Sequence, residues 1–218
     1  EYSFIVWQNN RMAATPNTAR RTASREQRRD QLVKATIKCI ARKGMGSTSI
    51  GDVAKEAGLS QGIVNLHFKS KDNLLNETLR HIADEYKDTF NTTLENSGPG
   101  AAEKLLALVE LELRPSIMDK QNIGVWFAFW GEVKSRPTYR KICDERDQYY
   151  DDIIEGLCET IIYEGKYKGF SAATVAISLN SITNGMWLSS LISPKSFDRN
   201  KALTALHDLL RSFFPKHF

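Results

Sequence analysis

The sequence predicts an all-α protein of about nine helices: a three-helix N-terminal head, a connecting fourth helix and a larger helical body. Three observations carry that prediction. Apolar residues recur at helical spacing nearly throughout the 218 residues, and no stretch alternates convincingly as a half-buried strand would. Clusters of glycine, proline and serine punctuate this periodicity at "KGMG", "NSGPG", "EGKYKGFS" and "SPKSFD". Charge also divides the chain. Residues 1–75 hold 13 Lys/Arg against 6 Asp/Glu, the remainder holds 17 against 20, and the net charge is +4. A basic end on a slightly acidic body suits that end to a polyanion.

The first helix is expected over 24–43, with Val33, Ile37, Ile40 and Ala41 on one face and "KGMG" as its stop. A short second helix follows, with Ser49 as N-cap and Asp52 three residues on, the spacing of a capping box. Ser60 caps an equally short third, and Ser70 opens a fourth that runs to about Thr93. The body then reads as segments at 101–116, 119–135, 138–165, 171–192 and 198–213, with Pro115 and Pro137 among the breaks. The implied organisation is a basic arm over 1–23, disordered or added for expression, a basic helical head over 24–69 and a body over 70–218. Residues 1–11, ahead of Met12, are expected to lie upstream of the natural start or to have been added for expression.

Several functional classes lack their signatures. No apolar run reaches the ~18 residues that cross a bilayer. Cys39, Cys143 and Cys158 are too scattered for a disulfide framework or a metal site, which suggests a reducing cytoplasm. His67, His81, His207 and His217 have no partnered nucleophile, and GxSxG, P-loop and HExxH motifs are absent. Neither catalysis, a cofactor nor a metal is expected.

Residues 50–67 form two helices about a tight turn. Val53, Ala54 and Ala57 face inward on the first, Gly58 makes the turn, and Leu59 and Val64 continue the inner face. Ala54 is small where the helices cross, and glycine adopts a left-handed turn at low cost. This is what a helix-turn-helix requires. With Ile63, Val64 and Phe68 inward, Ser60, Gln61, Gly62, Asn65 and Leu66 face out. Gln and Asn each pair with adenine in a major groove, and leucine meets a thymine methyl. Gly62 clears a side chain from the approach to the duplex, at a helix-propensity cost of about 1 kcal/mol. Lys71 opens the fourth helix, where backbone N–H groups and an ammonium both favour phosphate. Arg20, Arg21 and Arg25 could enter a minor groove.

"TSIGDVAKEAGLSQGIVNLHFKSKDNLL" resembles the head of the TetR family of transcriptional repressors. Thr48, Gly58, His67, Phe68, Ser70 and Lys71 match the family pattern. The resemblance implies phosphate contacts from Thr48, His67 and Lys71, with Gln61, Gly62 and Asn65 turned to bases. Asn65 stands where the family commonly has a tyrosine, so base preference does not carry over.

In the body, "NIGVWFAFWGEVKSRPTY" places Trp126, Phe127, Phe129 and Trp130 within five residues, and Trp187 is a partner from a later helix. These rings read either as bundle core or as an aromatic cage for a quaternary ammonium. For a cage, Glu112, Glu132, Asp147 or Asp151 would supply the carboxylate, and Tyr149 and Tyr150 further rings. "VWFAFWGEVKSRPTYR", "GMWL" and "LVELELRP" are similar to the choline-responsive repressors of the glycine betaine pathway, over about residues 25–214. The resemblance implies release from operator DNA by choline or a related cation, the ligand pushing the fourth helix. A repressor sensing another lipophilic or cationic ligand is the alternative, and a helical protein-binding adaptor the alternative of another class.

Segments 171–192 and 198–213 carry Val175, Leu179, Ile182, Leu203, Leu206 and Leu210. By the resemblance this pair forms a homodimer as a four-helix bundle.

Overall fold

The computed structural model describes residues 16–218, with side chains from Arg25 onward. Among the described residues the chain forms nine α-helices and no strand: α1 (Pro16–Lys43), α2 (Ile50–Glu56), α3 (Gln61–Phe68), α4 (Lys71–Asn96), α5 (Ala101–Leu111), α6 (Lys120–Trp130), α7 (Pro137–Gly165), α8 (Ala172–Ile192) and α9 (Arg199–Phe213). α1 starts earlier than expected, so residues 16–23, read from sequence as arm, continue the helix. Residues 1–15 lie outside the described residues, as do the side chains of Arg20 and Arg21.

Local chemistry sets most boundaries. Gly44, at φ 83°, ends α1 and donates its N–H to the Ile40 carbonyl. Ser49 and Asp52 close a reciprocal capping box on α2: the Ser49 hydroxyl accepts from Asp52 N at 3.2 Å and the Asp52 carboxylate from Ser49 N at 2.8 Å. Lys43 pairs with the same carboxylate and, with Ser49, holds it well below the usual range. Ser70 caps α4 through Asn73 N at 3.1 Å. Ser60 has an extended N-cap backbone, but its side chain makes no capping bond, contrary to expectation.

Helices α5 and α6 stop sooner than periodicity indicated, at Leu111 and Trp130. Beyond each the chain continues in tight turns, such as Arg114 N to Leu111 O and Val133 N to Trp130 O, which preserve the apolar spacing without being helix.

The head and body share a core. Leu32, Val53, Val64, Phe68 and Leu79 form one cluster with Trp126, Phe129, Tyr139 and Trp187. α6 lies against α1 as well as α7 and α8, so no core boundary falls at residues 69–70. A second cluster at the far end joins α5, α7, α8 and α9 around Leu105, Cys158, Val175, Leu206 and Phe214. Phe90, Leu108, Leu111 and Tyr150 form a third. On α1, Ala41 is exposed rather than inward, and Leu32, Thr36 and Cys39 complete the buried face.

Candidate functional site

The turn between α2 and α3 holds Gly58 at φ 65°, and Leu59 N reaches back to the Ala54 carbonyl at 2.8 Å. This crosses the helices over Ala54 and Val64, both buried. Ser60, Gln61, Gly62, Asn65 and Leu66 are all exposed, and Leu66 is 70% so. The outward face expected from sequence is therefore present as a surface. A Cβ added at Gly62 would meet only the Ser60 hydroxyl at 3.7 Å, so packing within the chain does not demand this glycine. The Gln61 amide folds back over Gly51, 3.0 Å from where a Cβ would stand.

Thr48 departs from the expected phosphate contact. It is 3% exposed, and its hydroxyl donates to the Gly44 carbonyl at 2.8 Å, which fastens the α1–α2 turn. Lys71 and His67 are half-buried at the edge of the outward face. Arg29 braces this edge: it donates to the His67 carbonyl at 3.0 Å, stacks 4.8 Å from the Phe68 ring and pairs with Glu77 at 2.9 Å. Burial, then Arg25, Arg29 and Arg28, push the His67 imidazole below its ordinary pKa.

In the body, α4, α6, α7 and α8 line a partly open cavity of about 350 Å³. Tyr86, Ile117, Ile123, Trp126 and Trp187 give it apolar walls, Ser116, Asn122 and Thr89 add polar groups, and Glu85 and Asp88 contribute exposed carboxylates. Arg146 shares this cavity with a smaller one of about 50 Å³, where Glu112, Asp147, Tyr150 and Asp151 stand. Tyr86 donates its hydroxyl to the Glu112 carboxylate, and Trp187 Nε1 donates to the Glu112 carbonyl at 2.7 Å. Burial raises the Glu112 carboxyl, against the opposing pull of Tyr86 and Arg146. It likewise raises Asp147 and Asp151.

Of the expected ligand residues, the structure places Trp126 and Trp187 on the larger cavity and Glu112, Asp147, Tyr150 and Asp151 on the smaller one beside it. Phe127 and Trp130 do not line the cavity. Their rings pack edge to face at 5.3 Å against the core shared with the head, as bundle packing would have it. Tyr149 also lies outside it, donating to Asn91 Oδ1 at 2.8 Å under the Lys87 ammonium. Tyr86 and Arg146 were not legible as site residues. Tyr86 sits among charges in "DEYKDTF", and Arg146 in "DERDQYY" reads as a solvated face. The i, i+4 spacing of Tyr86 and Phe90 was the available signal.

α8 is apolar on two sides. Val175, Leu179 and Trp187 are buried, while Ile177, Ile182, Leu188 and Ile192 are exposed, Ile177 by 64% and Ile192 by 70%. Leu206 and Leu210 of α9, and Val175 and Leu179 of α8, were expected to face a second copy, but they are consumed by the chain's own core. Leu203 is half-buried against that core.

A helix-turn-helix head mounted on a helical body with an internal aromatic cavity is the plan of a ligand-responsive DNA-binding regulator. Residues 32–78 match the bacterial regulatory proteins of the tetR family, and residues 101–215 match the BetI-type transcriptional repressor C-terminal family. The chain belongs to the TetR family of transcriptional regulators and has a BetI-type C-terminal domain. It is 30% identical over 189 residues to the HTH-type transcriptional regulator BetI of Paraburkholderia phymatum, covering 85% of this chain and 92% of that one. A putative transcriptional regulator from Pseudomonas aeruginosa PAO1 superposes with a TM-score of 0.78 at 27% identity, over 88% and 93% of the two chains. One from Saccharomonospora viridis, solved in complex with choline, also gives 0.78, at 24% identity over 85% and 96%.

Proposed function

We propose that this regulator is a homodimeric, non-catalytic repressor held on operator DNA by its head and released by a small cationic effector, with choline the first candidate. One observation carries the reading. The aromatic cavity is built on α4 and α6, the helices whose buried faces also complete the core of the head. A ligand that repositions Trp126 or Tyr86 therefore acts on the support of α1 and α3. The choline complex of the Saccharomonospora viridis protein supports the choice of effector. About 350 Å³ falls near the lower end of small-molecule sites, ~300–1,000 Å³, and accommodates a bulkier lipophilic cation as the second candidate.

On the DNA side, Gln61, Gly62, Asn65 and Leu66 face the bases, while Ser60, Lys71 and His67 sit toward the phosphates. Two heads reach half-sites about 34–36 Å apart only when the bodies fix their spacing, and the exposed apolar side of α8 is the surface for that pairing. A repressor acts where the chromosome is, in the cytoplasm. No helix among the described residues is long and apolar enough to cross a membrane.

The test is a titration of intrinsic tryptophan fluorescence with choline, betaine aldehyde, glycine betaine and a neutral isostere of choline. A DNA duplex selected in vitro by the protein is followed in parallel by anisotropy. Saturable quenching by a cation, with release of the duplex over the same concentration range, is expected. Quenching without release, or no response to any cation, would refute the effector assignment.

A further inference from the structure

The aromatic cage is already occupied, by the chain itself. The Arg146 guanidinium carbon lies 4.4 Å from the centre of the Trp126 ring, 4.6 Å from Tyr86 and 5.0 Å from Tyr150. Its side chain is 9% exposed, and its one close charge partner is the adjacent Asp147, at 2.8 Å. Three electron-rich faces converging on one buried cation form the arrangement that recognises ammonium and guanidinium ligands.

A bare cation entering the larger cavity therefore finds these faces taken and a like charge beside it. An anionic ligand fares worse. The residues lining the two cavities carry five carboxylates, Glu85, Asp88, Glu112, Asp147 and Asp151, and Arg146 is their only basic residue. Adding a negative charge there opposes the field of the site, whereas an added cation meets a surplus of carboxylates. Arg146 also has somewhere to withdraw to, since the smaller cavity on its other side presents Asp147, Asp151 and Asn180.

We propose that Arg146 is an internal stand-in for the effector: its guanidinium holds the aromatic cage in the ligand-free protein, and a cationic ligand binds by displacing it toward Asp151 and Asn180. This rests on the reading of the cavity as a cation site and adds the step by which that site fills. Displacement links occupancy to movement, because Tyr86 belongs to α4, the helix that joins body to head. It also sets a threshold. Apparent affinity is the intrinsic affinity reduced by the fraction of molecules whose cage is open.

Tetramethylammonium and choline are the probes, with acetate as the anionic control, and binding is read by tryptophan fluorescence. Arg146→Met removes the stand-in and is expected to bind both cations at least tenfold more tightly than the wild type, with acetate bound by neither. In wild-type protein, the Arg146 side-chain NMR signals, assigned with Arg146→Lys, should be ring-current shifted and move toward coil values as tetramethylammonium is added. That measurement holds even if Arg146→Met folds poorly. Unchanged or weaker cation binding by a folded Arg146→Met, or Arg146 signals indifferent to a bound cation, overturns the proposal. If wild-type protein still releases DNA with choline in that case, the effector reading survives alone. Tight cation binding by Arg146→Met with none by wild type supports the stand-in and overturns choline as the native effector. Acetate binding that needs Arg146 overturns both.

Discussion

Gly62 occupies the first turn of α3, a position where alanine would fit without disturbing any neighbour. A residue that weakens its own helix by about 1 kcal/mol and fills no packing need is best explained by something outside the chain. Gly62→Ala should therefore raise the stability of the head by up to ~1 kcal/mol in urea unfolding while weakening binding to a selected duplex. Loss of stability would point to an unseen packing demand instead. His67 makes a second prediction. Its imidazole is held below the ordinary value near 6.5, so the unfolded chain takes up a proton that the folded chain resists. Stability from this group is present at pH 7.5 and declines as pH falls through about 6.5 toward the folded value. Thermal midpoints measured from pH 7.5 to 5.5 should fall less steeply in His67→Gln than in wild type. At this scale the outward face of α3 was legible from spacing alone, since exposure there follows helical periodicity. Of the proposed cage and its carboxylates, Trp126, Tyr150, Trp187, Glu112, Asp147 and Asp151 were legible, and Tyr86 and Arg146 were not. A buried arginine between Glu145 and Asp147 has the same local pattern as an exposed one, and its burial is decided by α4 and α6, elsewhere in the sequence.

Element boundaries followed side-chain caps where caps exist. Ser49, Ser70, Ser171 and Asp198 each accept backbone N–H groups at a helix start that the sequence marked. Ser49→Ala removes one half of the α2 capping box and should cost about 1 kcal/mol in equilibrium unfolding. The stops of α5 and α6 were not legible, because the turns after them keep an apolar rhythm. α6 has the most consequential placement. Phe129, fully buried against Tyr139 at 5.1 Å, belongs to the cluster that also holds α1 and α3. Phe129→Ala should cost roughly 3–5 kcal/mol and loosen head and body together. Amide exchange would check this: protection should fall in α1 as well as in α6 and α7. At the start of α7, Arg136 reaches the first turn of α4 through Asp72 at 2.9 Å. The pair is exposed and contributes at most about 1 kcal/mol to stability.

At the scale of the whole molecule, α8 has too many apolar sides for a helix that only covers its own core. Ile177 and Ile192 stand on its exposed side. If this side pairs two copies, as proposed, replacing both with lysine should leave the circular dichroism of the fold unchanged while shifting the protein from dimer to monomer in sedimentation velocity. DNA affinity should fall with it, since a lone head reads only one half-site. The nine-helix plan and its order were legible in the sequence because each helix carries its own periodicity and breaks. The division into head and body was legible in charge, but the shared core was not. Which face of α6 meets α1 is a long-range fact that no local pattern encodes.

That shared core limits how the regulator can be re-engineered. A biosensor that kept this effector cavity but read a different promoter would usually be assembled by splicing a foreign head at the α3–α4 junction. Here such a chimera would leave Trp126, Phe129 and Tyr139 against a surface they did not evolve to fit. The transplantable unit is instead the head together with the matching faces of α4 and α6, and a graft that respects it should respond to the same ligand at a new promoter.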